Sequence, residues 1–271
     1  MSELPSIEKW FSLRGKRALL TGAGGGIGHA LARGLAGAGA AVAVHARSED
    51  KIADLAREIT AAGEKAVAFT AELSVVEEAR KLVVDADTAL GGLDILINCA
   101  ATNTREPISE VTEEHWDRIM TVNLKSLYFM SQEAHRLMKP NRSGKIIHIG
   151  SINPFFALGG VSVYGSSKGG VTQLTKAMAV EWAKDNIQVN CVVPGYILTP
   201  LSEPIWADSY KAEWLRSRIP ARRPADPEEL VGAIILLAAG GSSYITGTTI
   251  LVDGGSLAGG WWEPDDVLAR M

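Results

Sequence analysis

Tyr164 and Lys168 stand four residues apart in Tyr-Gly-Ser-Ser-Lys, at the entrance to a helical pattern. On a helix that separation puts both side chains on one face and an ammonium group beside a phenol. A free tyrosine is almost wholly protonated at neutral pH, and a neighbouring cation favours its phenolate, so the pair suits proton exchange with a substrate oxygen. Ser151 follows an apolar run in Gly150-Ser151-Ile152. A loop that returns it beside Tyr164 would let its hydroxyl hydrogen-bond the same oxygen. Tyr-x-x-x-Lys alone is common by chance, and its plain reading is a buried tyrosine with an exposed lysine. The elements around the pair decide between the two.

An apolar strand at residues 17–20 runs into Thr21-Gly-Ala-Gly-Gly-Gly-Ile-Gly28, and a helical pattern follows over 29–38. Gly22, Gly26 and Gly28 between a first strand and a first helix permit a tight turn and close backbone approach to a phosphate, with the helix N-terminus supplying unpaired N–H groups. The spacing, Gly-x-x-x-Gly-x-Gly, is not the Gly-x-Gly-x-x-Gly of many dehydrogenases. A second strand at 41–44 ends in His45-Ala46-Arg47-Ser48. In a dinucleotide fold a carboxylate there selects the free 2′-hydroxyl of NAD, whereas an arginine accepts the 2′-phosphate of NADP. No acid is present and Arg47 is available for a bidentate contact. NADP(H) is the expected cofactor, with NAD(H) as the alternative.

Helical and strand patterns then alternate over 51–62, 66–70, 75–90 and 94–97. That rhythm predicts an α/β fold, a single-domain doubly wound parallel sheet of Rossmann type with helices on both faces, whose ligands bind outside the carboxyl ends of the strands. The strand at 94–97 leads into Asn98-Cys99-Ala100-Ala101. A helix over 113–138 carries Asn123 in its middle, an odd choice because asparagine is a poor helix former. A backbone irregularity that holds Asn123 near the site would explain it; a solvent-facing polar residue is the plain alternative. The strand at 145–149 delivers Ser151. Past Lys168 the pattern stays helical to about 184, and a strand at 188–193 closes in Pro194-Gly195.

Residues 196–224 lose strand rhythm and gather Trp206, Tyr210, Trp214, Arg216 and Arg218, a candidate lid over the carboxyl edge. Asp226-Pro-Glu-Glu229 opens a helix with an N-cap and a proline at its first position, and a last strand at 248–252 ends in Asp253-Gly-Gly255. The domain is expected over 11–255, with a tail at 256–271.

Of 271 residues, 46% are apolar and 21% charged, enough for a sizeable core. The net charge of −4 without a basic patch argues against nucleic acid. No leader pattern opens the chain, and the most apolar stretch, 230–239, falls short of the ~20 residues that span a bilayer. A cytoplasmic protein with no membrane partner is expected. Cys99 and Cys191 sit in apolar runs and suggest reduced core thiols, and the histidines at 29, 45, 115, 135 and 148 have no metal-ligand spacing.

Taken together, Thr-Gly-x-x-x-Gly-Ile-Gly at 21–28, Asn-x-Ala at 98–100, Asn123, Ser151, Tyr-x-x-x-Lys at 164–168 and Pro-Gly at 194–195 resemble the short-chain dehydrogenase/reductase family from about Phe11 to Gly255. The resemblance implies a catalytic set of Ser151, Tyr164, Lys168 and Asn123. Tyr164 would be the acid/base and Ser151 would orient the carbonyl or hydroxyl. Lys168 would lower the tyrosine pKa and bond the nicotinamide ribose, and Asn123 would hold a proton-relaying water. It further implies cofactor contacts from Gly22, Gly26, Ile27, Gly28, Asn98, Ala100, Pro194, Gly195, Ile197 and Thr199 besides Arg47, Tyr164 and Lys168. Two positions depart from the family's habit. Ala101 stands where Asn-Asn-Ala-Gly has glycine, and Gly25 stands where members preferring NADP often carry a basic residue.

Phe11-Ser-Leu-Arg-Gly-Lys16, residues 177–184, Asn186-Ile-Gln-Val-Asn190 and Pro194-Gly-Tyr196 are similar to gluconate 5-dehydrogenases and related sugar-acid dehydrogenases. A small-molecule sugar acid is thus the expected substrate, with Arg105, Asn103, Asn153 and Tyr196 as candidate contacts. A 3-oxoacyl-thioester reductase acting on acyl carrier protein is the alternative, and a non-catalytic NADP(H)-binding scaffold a third reading. Family members are usually tetramers built from the helices bearing Asn123 and Tyr164, so a homotetramer is expected, with the aromatic tail at Trp261-Trp262 as a candidate interface element.

Overall fold

The structure, a computed structural model, describes residues 6–200 and 202–260. Seven strands lie side by side in the order β3-β2-β1-β4-β5-β6-β7. They are β1 (Arg17–Thr21), β2 (Ala41–Ala46), β3 (Ala66–Thr70), β4 (Ile95–Asn98), β5 (Gly144–Ile149), β6 (Ile187–Pro194) and β7 (Thr249–Val252). Every pairing is parallel. The central strands are buried on both faces, hence their near-continuous apolar runs.

The strand order reverses between β1 and β4, which opens a crevice at their carboxyl ends. Side chains alternate across the sheet. Ala18 and Leu20 join one core with Leu31 and Leu35 of α2 (Ile27–Gly37), Ile52 and Leu55 of α3 (Asp50–Ala61) and Ile234 of α10 (Val231–Ala238). Leu19 joins the other, with Leu82 and Val83 of α4 (Val76–Leu90), Met130 and Ala134 of α6 (Ser126–Met138) and Met178 of α7 (Ser162–Trp182). A third cluster, Leu127, Ile152, Val171, Cys191 and Val193, lies toward the carboxyl edge. A short α1 (Glu8–Phe11) precedes β1.

The expected long helix over 113–138 is interrupted. After α5 (Glu113–Met120) the backbone makes a π-helical turn over Thr121–Lys125 before α6 begins. Ser126 Oγ donates to the Val122 carbonyl there at 2.7 Å. The candidate lid holds two helices, α8 (Glu203–Ala207) and α9 (Ser209–Arg218). Its far end is tied back by Ala225 N–H to the Tyr196 carbonyl, just past β6, and by Ala221 N–H to the Gly254 carbonyl, just past β7. Asp226, the expected N-cap, forms a capping box with Glu229 ahead of α10. The Trp261-Trp262 tail lies outside the described residues. Among the described residues no helix is long and apolar enough to cross a membrane.

Candidate active site

β1 turns into α2 through glycines, of which Gly22 and Gly28 are packed too closely for any side chain. A Cβ on Gly28 would stand 2.1 Å from the Gly22 carbonyl oxygen, and one on Gly22 would stand 2.7 Å from Ala100 Cα. The backbone of this turn thus lies flat against the end of β4. Thr21, at the last position of β1, closes the joint: its Oγ accepts the N–H groups of both Cys99 and Ala100 at 3.2 Å. On the other side, Gly22 N–H points to His45 Nδ1 and Ala23 N–H donates to the His45 carbonyl. Gly26 precedes α2 with no side-chain cap, and Thr199, from the segment after β6, packs over it at 3.1 Å from where a Cβ would be.

The expected cofactor residues Gly22, Gly26, Ile27, Gly28, Ala100 and Thr199 therefore meet at one crevice. These residues fit a dinucleotide: the α2 N-terminus is uncapped, the space beside Gly25 is open, and the turn has no side chain to bar a pyrophosphate. Arg47 lies exposed just past β2, with no salt-bridge partner among the described residues, close enough to Glu72 for its charge to help hold that carboxyl below its usual range, behind the Ser74 N–H bond. Ala101 is exposed and keeps a negative φ, so its backbone makes no demand for glycine. Pro194 ends β6 and Gly195 follows it, and Ile197 pairs with Ala225.

Two strands farther along, β5 delivers Ser151, which is buried; its Oγ accepts the Asn153 N–H at 3.2 Å. α7 then brings Tyr164 and Lys168 to this edge. The plain reading of that pair fails on burial: Lys168 is only 2% exposed. Its Nζ donates to the Ile149 carbonyl at 2.7 Å and stands 5.8 Å from the Tyr164 ring centroid. The ammonium also acts on its neighbours. Burial, with a lesser contribution from Lys168, pushes the His148 imidazole down to about 3. Burial pushes the thiols of Cys99 and Cys191 up to about 11, against a smaller opposing pull from Lys168, and both thiols are free.

Asn123 is fully buried in the π turn, and its amide is spent on protein partners. Its Oδ1 accepts the Thr102 N–H at 2.7 Å, while Nδ2 donates to the Thr102 carbonyl at 2.9 Å and to Ser167 Oγ at 3.1 Å. Ser167 Oγ in turn donates to the Tyr164 carbonyl. Asn123 thus ties the β4–α5 loop to the helix that carries the Tyr-Lys pair. Asn98 looks inward, its Nδ2 donating to Ser131 Oγ within a buried chain that continues through His148 to Thr175, and its Oδ1 is buried without a partner among the described residues.

The substrate-side candidates spread around the same edge. Asn103 and Arg105 are exposed on the β4–α5 loop. The stem of Arg105 packs on Gly160, and Glu106 N–H donates to the Gly160 carbonyl, so this loop and the β5–α7 loop flank the site together. Asn153 sits beside Gly165 at the start of α7. Tyr196 packs against the cluster of Leu127, Ile152, Val171, Cys191 and Val193, and its hydroxyl is buried without a hydrogen-bond partner among the described residues. The positioning roles of Thr21, Thr102 and Ser167 were not read from the sequence, although Thr21 opens the glycine motif. A threonine ending a strand ahead of glycines and a serine inside Tyr-x-x-x-Lys were the only signals, and each is ordinary alone.

A seven-stranded parallel sheet with a glycine turn at its switch point and a Ser-Tyr-Lys set two strands away is the architecture of a nucleotide-dependent oxidoreductase. The family profile described as enoyl-(acyl carrier protein) reductase matches residues 22–256, and the chain belongs to the short-chain dehydrogenase/reductase family. It is 39% identical over 229 residues, 83% of this chain and 88% of the relative, to gluconate 5-dehydrogenase of Gluconobacter oxydans (strain 621H). Among solved structures it is similar to a gluconate 5-dehydrogenase from Burkholderia cenocepacia J2315 in complex with NADP and tartrate, at 37% identity and a TM-score of 0.90 over 94% of this chain and 100% of that one. It is also similar to a 3-oxoacyl (acyl-carrier-protein) reductase from Agrobacterium tumefaciens C58 with NADP bound, at 33% identity and a TM-score of 0.87 over 92% and 97%. The chain is thus an oxidoreductase acting on a CH–OH group, related to gluconate 5-dehydrogenase.

Proposed function

We propose that the chain interconverts a secondary alcohol and a ketone on a sugar acid such as gluconate and its keto form, with NADP(H). The observation that carries the reading is the buried Lys168 ammonium, held between the Ile149 carbonyl and the Tyr164 ring, one loop from Ser151. When bound, the nicotinamide supplies or accepts the hydride. Tyr164 protonates the carbonyl oxygen in the reductive direction and removes the proton in the oxidative one. Ser151 Oγ holds that oxygen, and Lys168 supplies the fixed positive charge beside the phenol. With all of its amide engaged, Asn123 contributes to proton relay through its main-chain carbonyl, in a turn whose π geometry disturbs the regular helical bonds. Gly22, Gly26, Gly28, Ala100, Pro194, Gly195 and Thr199 would hold the dinucleotide, and Arg47 the 2′-phosphate.

Residues 196–224 act as a lid in this reading, the protomers assemble as a homotetramer through the helices bearing Asn123 and Tyr164, and the protein works in the cytoplasm. A 3-oxoacyl-thioester reductase is the second reading, favoured by the likeness to the Agrobacterium reductase. Initial rates with NADP(H) and NAD(H), each against gluconate, 5-ketogluconate and a 3-oxoacyl thioester, separate the two. Sugar-acid turnover that prefers NADP(H) and disappears in Tyr164→Phe supports the first reading; turnover of the thioester alone replaces it with the second.

A further inference from the structure

The Tyr196 hydroxyl is sealed from solvent and has no hydrogen-bond partner among the described residues. An unpaired buried hydroxyl is costly, and one at the edge of a candidate active site calls for a ligand acceptor. Its ring packs against the cluster that contains Ile152, the residue after Ser151, which puts the ring on the Ser151 side of the crevice. Burial pushes the phenol above its ordinary pKa, which keeps it a donor at neutral pH.

A cation comes to this phenol from the lid. Gly195, the residue before Tyr196, lies against Asp253: a Cβ there would stand 2.6 Å from Asp253 Cα. The next residue, Gly254, lies against Ile219, 3.0 Å from where its own Cβ would be, and Ile219 follows Arg218. The Arg218 guanidinium is near enough for its charge to act on the Tyr196 phenol. It stacks over the Trp214 ring at 5.3 Å and has no salt-bridge partner among the described residues. Asp253 does not serve as one, because its carboxylate accepts the N–H groups of Gly255 and Leu257. A guanidinium stacked on one face keeps its edge donors free for a carboxylate.

We propose that Arg218 and Tyr196 form the subsite for the substrate's carboxylate, the lid arginine supplying the charge and the buried phenol a neutral donor. The inference rests on the sugar-acid reading and assigns the anionic end of the substrate to the lid rather than to Arg105. It also gives the lid a reason to close only on an acid. Arg105, whose stem packs against Gly160 of the β5–α7 loop, then stays at the rim, outside the contacts to the substrate.

The test is calorimetric binding of gluconate and of the uncharged hexitol sorbitol to the NADP-loaded full chain, in wild type, Arg218→Gln, Arg218→Lys, Tyr196→Phe and Arg105→Gln. Losing a charge-assisted pair should weaken gluconate by about 10- to 100-fold in Arg218→Gln, with part of the loss recovered in Arg218→Lys. Tyr196→Phe should weaken it by roughly 3- to 10-fold. Sorbitol should be held equally by all five proteins, and gluconate should bind Arg105→Gln about as wild type. Gluconate binding that is unchanged in Arg218→Gln, lost instead in Arg105→Gln, or absent from wild type overturns the subsite. Gluconate that binds in the expected pattern but is not turned over leaves the subsite standing and removes the sugar-acid dehydrogenase reading.

Discussion

The Lys168 ammonium donates to the carbonyl oxygen of Ile149, two residues before Ser151, across a 2.7 Å bond that ties α7 to the end of β5. A single side chain therefore fixes the distance between the tyrosine helix and the serine strand while placing a buried cation beside the phenol. Lys168→Met keeps the stem's packing and removes both functions. The expected result is a fall in kcat of about 10²- to 10⁴-fold, as for loss of an acid/base partner. The orphaned Ile149 carbonyl should cost about 1–3 kcal/mol of folding stability. Steady-state rates and urea midpoints on the same preparation measure both. Unaltered kcat in a folded Lys168→Met protein would place the chemistry elsewhere.

His148 makes folding stability depend on pH. In the folded chain its imidazole, held between Ser131 and Thr175, stays neutral down to about pH 3, whereas the ordinary value is 6.5. Between those limits the unfolded chain binds more protons, so stability from this group is full above about 6.5 and falls as pH drops toward 3. The slope is about 1.4 kcal/mol per pH unit. His148→Gln lacks the titration. The stability difference between wild type and this variant should therefore shrink by that slope in urea melts between pH 6.5 and 4.5. A difference that stays constant with pH would falsify the assignment.

Arg47 is exposed at the end of β2 and lacks a salt-bridge partner among the described residues, so a 2′-phosphate could engage it without breaking another ion pair. Arg47→Ala should raise KM for NADPH by about 10-fold or more and leave KM for NADH within about twofold, since a charge-assisted hydrogen bond contributes ~1.5–3 kcal/mol. Equal effects on the two cofactors would mean that Arg47 does not read the phosphate.

Gly28→Ala places a methyl 2.1 Å from the Gly22 carbonyl oxygen, inside the joint between the glycine turn and β4. Backbone flanks the site, so relief needs a shift of the turn itself. Dinucleotide affinity, read by fluorescence titration, should fall by more than about 10-fold, and stability by roughly 1–3 kcal/mol, the usual cost of overpacking. Wild-type affinity in Gly28→Ala would show that the turn can give way.

Much of this was legible in the chain itself. Strands and helices alternate with clear periods, so the parallel sheet and its crevice follow from pattern, and each strand bound in the structure falls within a residue or two of its expected place. Ser151, Tyr164 and Lys168 stood out as candidates only together with the motifs around them, because Tyr-x-x-x-Lys alone is common by chance. Asn123 announced itself as a residue ill-suited to a helix, and the π turn supplies the reason.

What the chain could not declare was set by contacts between residues distant in sequence. Whether Lys168 is exposed or buried depends on how α7 packs on β5 and β6. The full engagement of the Asn123 amide depends on Thr102, 21 residues before it, and on Ser167, 44 residues after it. Nothing near Tyr196 announces that its hydroxyl is buried and unpaired among the described residues, or that Arg218 approaches it, since the segment after β6 is held by backbone bonds from Ala225 to Tyr196 and from Ala221 to Gly254 that leave no periodic trace. Local spacing determined which groups this protein has for chemistry; only the tertiary packing decided which of them are desolvated, which are already satisfied, and which remain free for a ligand.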